Sequence, residues 1–521
     1  MANATPAASR GERWASDAPG TPSAAVLAWR WLLGIAVAVA AFHIATNGAF
    51  GFHRDELQVL DDARHIAWGF VAYPPFAPAI ERVSMTLFGV SLRWLRLPAV
   101  LAQVGVLLFA AMAAAEFGGG KFAQVVTALA VAASPVPMFE AHEFQYTGFD
   151  LLWMTAMVYC LARLLRTNNP RWWLAIGAFA GMGLMTKYSM AFYLVALFIA
   201  LLLTPARRYL RSRWLWYGLA LAFILALPNL IWQAQHHWIS LTFLRFIHAR
   251  DIGEGRAAGF WFDQLRVDGP LLAFPLWMAG VIWLFLRGQR RWRVLGWVFV
   301  LLVAMLALAK GRGYYTAAVY PLALAAGAAC WEGIVRRVPG RLWARLAQTL
   351  TIVLILADAA LAARTILPLG PVSAKSYALA HDGDLREEVG WNELAREVAR
   401  IRNQLPPAQR AHTAILTFNY GETGAIDMLG ARYGLPPAIS PVNSAWYRGY
   451  GNPPPQSEII LSLTAAQANA NFAGCRVAGH DGNRYGIHNE EADEHPDIFL
   501  CGPLRYPWPA FWKAAQTKAF G

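Results

Sequence analysis

The run VLAWRWLLGIAVAVAAFHIAT, residues 26–46, is followed shortly by Gly51-Phe52-His53-Arg54-Asp55-Glu56-Leu57. As a helix, the first stretch is long enough to cross ~30 Å of hydrocarbon. The second sets His53, Arg54, Asp55 and Glu56 side by side, with Asp61 and Asp62 close behind. An acidic pair at the mouth of a membrane helix must face water, a cavity or a partner. It reads as a functional-site candidate beside the plainer reading of a solvated loop.

The whole chain supports a membrane setting. Of 521 residues, 57% are hydrophobic and 15% charged, and the mean hydropathy is +0.35. That composition excludes a soluble globular protein of this size and predicts a polytopic α-helical membrane protein. The net charge of +13 would suit nucleic acid, but most of the arginine falls in short loops between apolar runs, which argues against such a partner. About 11 transmembrane helices are expected, at 26–46, 95–115, 121–139, 149–166, 172–187, 189–204, 213–232, 270–287, 293–310, 314–335 and 345–366. With a cytoplasmic N-terminus, the four arginine-dense loops fall together on the cytoplasmic side: those around Arg166, Arg208, Arg290 and Arg337. Residues 1–24, rich in Ala, Pro, Ser and Gly, read as a disordered cytoplasmic segment. They are not a secretory signal, because the apolar run behind them is too long and no Ala-x-Ala site closes it.

This topology divides the chain into a transmembrane catalytic domain, 25–367, and an extracytoplasmic domain, 368–521. The loop 47–94, with interfacial helices, also lies outside. The tail predicts a small α/β domain: helix at 385–404, strand at 411–418, helix at 422–429, and strands at 458–463, 476–479 and 497–501. Cys475 and Cys501 both lie in it, where an oxidising compartment permits a disulfide or leaves two free thiols. Asn419-Tyr420-Gly421-Glu422-Thr423-Gly424 is glycine-rich like a nucleotide-binding turn but lacks the dinucleotide spacing.

Sorted by side, the unusual residues gather outside. They are Asp55 and Glu56; Glu140, His142, Glu143 and Asp150; Lys187; Arg245, His248, Arg250 and Arg256; and Lys310, Arg312, Tyr314 and Tyr315. The span interiors are almost free of charge, so a site at the outer boundary, open to lipid, fits better than a transport path. One chemistry suits that position. A polyprenyl-phosphate sugar keeps its lipid in the bilayer and its phosphate at the interface. Arg and Lys can stabilise the departing phosphate, and a carboxylate can take the proton of an attacking hydroxyl. Asp150, near the start of its helix, can equally serve as an N-cap.

These residues resemble a known family. Asp55-Glu56, Tyr73-Pro74-Pro75-Phe76, Gly148-Phe149-Asp150-Leu151, Met185-Thr186-Lys187-Tyr188 and Lys310 to Tyr315 with Tyr320-Pro321 are similar to the bacterial dolichyl-phosphate-mannose:protein mannosyltransferases. That family shares the GT-C fold with the lipid A aminoarabinose transferases. The resemblance implies a membrane glycosyltransferase that moves a sugar from a polyprenyl-phosphate donor to an extracytoplasmic acceptor, with inversion. It implies Asp55 as base, with Glu56 and Asp150 orienting the acceptor or Asp55 itself. The chain departs from the aminoarabinose transferases at Val71-Ala72-Tyr73, where they carry a phosphate-contacting lysine. The phosphate is therefore expected to fall to Lys187, Arg250, Arg256 or Lys310, while Tyr73, Tyr314 and Tyr315 are candidates to line the sugar or lipid pocket beside the plainer reading of packing residues. No metal is demanded, since cationic side chains supply the charge; a divalent metal is compatible. Two other readings stand beside this one: a lipid-linked-sugar flippase or transporter, and a non-catalytic envelope assembly protein working through its tail.

Overall fold

The chain, seen in a computed structural model, is described over residues 25–266, 269–373, 375–381, 383–516 and 520. The expected disorder of 1–24 lies outside the described residues. All eleven apolar runs are helical. Seven helices are long and apolar enough to cross a membrane: Trp29–Thr46, Leu92–Glu116, Tyr146–Thr167, Arg213–Gln235, Gly288–Leu308, Gly313–Val335 and Arg341–Ile366. Two bent pairs bring the number to nine. Lys121–Ala133 and Pro135–His142 meet at 62°, because Ser134 is extended and Pro135 can neither donate to the preceding turn nor accept a helical neighbour before it. Met190–Leu202 turns by 108° into the short helix Pro205–Arg211, again at a proline. The remaining two, Trp172–Leu184 and Phe274–Phe285, are only 13 and 12 residues long. The sequence expectation of eleven spans thus counts apolar helices, of which seven to nine have spanning length.

Each of the two short helices is packed backbone to backbone against a longer one. A Cβ on Gly177 would lie 2.1 Å from the Gly218 carbonyl oxygen, and one on Gly280 would lie 1.9 Å from that of Ala323. Small residues let Trp172–Leu184 approach Arg213–Gln235, and Phe274–Phe285 approach Tyr320–Val335, closely enough for dispersion and main-chain contact to replace the missing hydrophobic drive in lipid.

Beyond Ile366 the chain builds a four-stranded sheet from β1 (Thr413–Leu416), β2 (Ser457–Ile460), β3 (Arg476–His480) and β4 (Asp497–Cys501). Its order is β1-β2-β4-β3, with β1 and β2 parallel and the other pairs antiparallel. Cys475 and Cys501 are joined as a disulfide. The helix expected at 385–404 is interrupted. A 3-10 turn, Asp384–Glu388, ends at extended Val389, and Gly390 at φ 110° starts the helix Trp391–Asn403. This tail shares a core with the first loop. Leu57 and Leu60 pack among Trp391, Leu394, Ile426 and Ile459, so the helix Arg54–Arg64 is covered by the C-terminal part of the chain.

Candidate active site

The stretch from Gly51 to Leu57 leads into the loop helix Arg54–Arg64. His53 is its N-cap: the His53 ring nitrogen Nδ1 accepts from the Asp55 amide at 3.2 Å, and Glu56 Oε2 accepts from the His53 amide at 2.9 Å. Carboxylates in a first turn are favoured by the unpaired amides and the helix dipole. Successive helical positions point ~100° apart, and the acidic pair divides accordingly. Glu56 turns inward, where fully buried Arg96 holds both its oxygens at 2.7 Å and the Phe144 amide donates to it at 2.8 Å. Arg96 also meets Glu388 at 3.2 Å, and Glu388 lies 2.6 Å from His142 Nε2. Asp55 turns outward into a cavity of about 1260 Å³.

The cavity lies between one end of the helix bundle and the tail. Of the expected site residues, Asp55, Tyr73, Lys187, Arg250, Arg256, Lys310, Tyr314 and Tyr315 line it. Glu56 does not, and neither does Asp150. Asp150 is buried, accepts from Ser189 Oγ at 2.6 Å and leaves Oδ1 without a hydrogen-bond partner among the described residues. Nor is it a helix cap: its helix starts at Tyr146, with Gln145 as N-cap. Tyr73 donates to Asp62 Oδ2 at 2.7 Å and packs on Tyr146. Burial pushes Asp62 up to about 7, with Arg448 opposing.

The cations differ in how free they are. Lys187 Nζ donates to Thr147 at 3.1 Å and stands 5.1, 4.9 and 5.8 Å from the ring centres of Tyr146, Tyr315 and Tyr314. Lys310, at φ 50°, has no hydrogen-bond or ion-pair partner for its Nζ among the described residues. Arg250 lies 4.0 Å from Asp251, whose two oxygens are taken by Arg312 at 2.8 and 2.7 Å. Arg256 pairs with Glu254 at 2.6 Å. Apolar side chains, among them Phe192, Leu241, Leu244, Ile247, Leu306 and Leu361, line another part of the wall.

One ligand atom each from His53, Asp55 and Glu143 lies within 4.8 Å of the others. One nitrogen and two carboxylates suit a divalent cation that accepts mixed N and O donors. His53 Nδ1 is also 3.0 Å from Glu143 Oε1. Against the lowering effect of burial, Glu143 raises the His53 imidazole well above its ordinary range, and burial pushes Glu143 up to about 7 against the opposing influence of His53.

Sequence reasoning missed Tyr420, which donates to Asp55 Oδ1 at 2.8 Å across 365 residues of chain. It also missed the wall formed by His381, Asp384 and Asn443. The glycine-rich motif around Tyr420 was visible, but nothing local to it indicated where the tail docks.

Known proteins resemble this chain in both sequence and fold. The profile of the dolichyl-phosphate-mannose-protein mannosyltransferase family matches residues 72–232. The lipid A galacturonosyltransferase RgtD of Rhizobium johnstonii is 26% identical over 371 residues, covering 68% of this chain and 74% of that protein. The fold is similar to that of ArnT from Cupriavidus metallidurans. Against its apo structure the TM-score is 0.53 at 14% identity, covering 91% of this chain and 97% of that one. Against its structure bound to undecaprenyl phosphate the score is 0.51 at 16% identity, covering 91% and 98%. The archaeal oligosaccharyltransferase AglB from Archaeoglobus fulgidus, in complex with an inhibitory peptide and a dolichol-phosphate, gives 0.50 at 10% identity, covering 83% and 69%. Helical architecture, family profile and relatives together show a membrane protein of GT-C fold that is similar to membrane glycosyltransferases, a lipid A-modifying transferase among them.

Proposed function

We propose that the chain transfers one sugar from a polyprenyl-phosphate donor to an extracytoplasmic acceptor, with Asp55 as the base. The observation that carries this reading is a single cavity that combines three features: a carboxylate, cations without strong partners and an apolar wall. The polyprenyl chain lies along the apolar wall. The phosphate meets Lys310, Lys187 and Arg250, with Arg256 at the rim. The acceptor hydroxyl oxygen attacks the anomeric carbon from the face opposite the phosphate and inverts it. Its proton passes to Asp55 as the bond between the anomeric carbon and the phosphate oxygen breaks, and the departing polyprenyl phosphate is held by the cations. Tyr314, Tyr315 and Tyr73 shape the sugar pocket, Glu56 holds the loop helix, and Asp150 fixes the segment around Lys187 and Ser189. A divalent ion held by His53, Asp55 and Glu143 would add positive charge beside the acceptor.

In this reading the chain sits in the bacterial inner membrane with its N-terminus cytoplasmic, eleven apolar helices in or partly across the bilayer, and residues 368–521 outside. The undecaprenyl phosphate bound to ArnT, and the lipid A galacturonosyltransferase activity of RgtD, support the donor class and an envelope acceptor. The test is transfer from a panel of radiolabelled polyprenyl-phosphate sugars by the purified chain in native-lipid nanodiscs, supplied with membrane lipid extracts as acceptors. Label moving from one donor to an acceptor with inverted linkage is expected. Donor carried across the bilayer unchanged would favour a flippase instead.

A further inference from the structure

The donor cavity explains the transmembrane part of the chain and leaves the tail without a task. We infer that the tail is part of the active site: its helix Tyr420–Leu429 is locked onto the loop helix Arg54–Arg64, and the Tyr420 hydroxyl sets the orientation of the Asp55 carboxylate. The role assigned to Asp55 rests on the glycosyltransferase reading; the docking of the two helices does not.

Four observations converge on it. The Tyr420 hydroxyl donates to Asp55 Oδ1 at 2.8 Å, the one hydrogen bond made by that carboxylate among the described residues, so Oδ2 is left to receive a proton. Tyr420 is itself held in place. Asn419 caps its helix, and the Arg54 guanidinium lies 5.8 Å over its ring. That guanidinium is tied to Glu490 at 2.5 Å and Glu491 at 3.5 Å, both from the tail. The helices touch through main chain: a Cβ on Gly424 would stand 2.6 Å from the Leu57 carbonyl oxygen, and one on Gly421 would stand 2.9 Å from Arg54 Cβ. Farther along, Arg448 reaches Asp61 at 2.6 Å.

Docking alone would need only the apolar contacts of Leu57 and Leu60. A phenol aimed at the cavity carboxylate adds nothing to that packing, but it does fix a side chain that must hold one rotamer while an acceptor is deprotonated. The phenol O–H donates and the carboxylate oxygen accepts. Tyr420 is therefore a positioning residue, and the motif Tyr420-Gly421-Glu422-Thr423-Gly424 is a docking helix. Its Glu422 points away from the cavity, toward Ser462.

The test uses the full chain in nanodiscs as wild type, Tyr420→Phe, Gly424→Ala and Asp55→Asn. Turnover, donor KM, thermal midpoint and amide exchange over 54–64 are read for each. Tyr420→Phe should lower kcat about 10- to 100-fold, the range for a hydrogen bond to a charged group, with donor KM and thermal midpoint unchanged. A purely structural tyrosine would instead lower the midpoint and spare kcat. Gly424→Ala should speed exchange over 54–64 at least about tenfold and lower kcat with it. Wild-type kcat in Tyr420→Phe, while Asp55→Asn is inactive, would overturn the inference and leave the transferase reading standing. If wild type moves no sugar, the transferase reading fails; if Asp55→Asn is fully active, the base assignment fails and the orienting role of Tyr420 is overturned with it. The exchange of Gly424→Ala then decides the docking: faster exchange over 54–64 supports it, and unchanged exchange overturns it.

Discussion

Lys310 shows how much one residue can carry. Its backbone sits at φ 50°, a left-handed conformation that costs a side chain with a Cβ ~1–2 kcal/mol, and its ammonium faces the cavity without a partner among the described residues. Strain combined with a free charge is expected where a ligand supplies what the fold withholds. Lys310→Gly should keep or raise the thermal midpoint while weakening donor binding by about tenfold or more. Equal donor affinity in the two proteins, read by binding of labelled polyprenyl phosphate, would remove Lys310 from phosphate recognition. At this scale much of the site was legible. Charged and aromatic residues at external junctions named Asp55, Lys187, Lys310, Tyr314 and Tyr315 because the span interiors hold so little charge. The separate fates of Asp55 and Glu56 were not legible, since they depend on where the loop helix begins and hence on which way each ~100° step points.

Among the elements, the loop helix depends on one buried cation. Arg96 compensates Glu56 and Glu388 together, and its removal would strand two buried carboxylates. Arg96→Leu should cost ~3–5 kcal/mol, the loss typical when one partner of a buried pair is removed. It would appear as a lower thermal midpoint in detergent; a midpoint within a degree of wild type would refute that role. Hydropathy located every apolar helix, because apolar length is written locally. It could not foresee the bend at Ser134-Pro135 or the shortness of Trp172–Leu184 and Phe274–Phe285. Pro135 looked like one more residue inside an apolar run, and the glycine contacts of the short helices depend on partners distant in sequence. Gly390 was a readable helix breaker whose effect the surrounding amphipathic pattern concealed.

At the scale of the whole molecule, the tail couples to pH as well as to the cavity. Glu458, fully buried on β2 with neither oxygen hydrogen-bonded among the described residues, is pushed by burial up to about 8 from an ordinary 4.5. The folded chain keeps this proton while the unfolded chain releases it. The contribution to stability is therefore whole below pH 4.5 and is lost as pH rises toward 8. Glu458→Gln should raise stability on the order of 2–4 kcal/mol at pH 7.5 and make little difference near pH 4.5. Thermal midpoints across that range would check it, and a parallel shift at every pH would contradict it. The tail's strands were readable as local patterns, and its two cysteines as a pair free to bond or to stay reduced. Its place over Asp55 was not, because a contact spanning 365 residues leaves no periodicity to detect.

The most direct measurement compares donor turnover by wild type and Asp55→Asn in native-lipid nanodiscs, with donor binding and thermal midpoint measured on the same samples. Loss of turnover by about 100-fold or more, in a variant that still folds and binds polyprenyl-phosphate sugar, is the predicted result. Equal turnover in the two proteins would contradict it and take Asp55 out of the reaction.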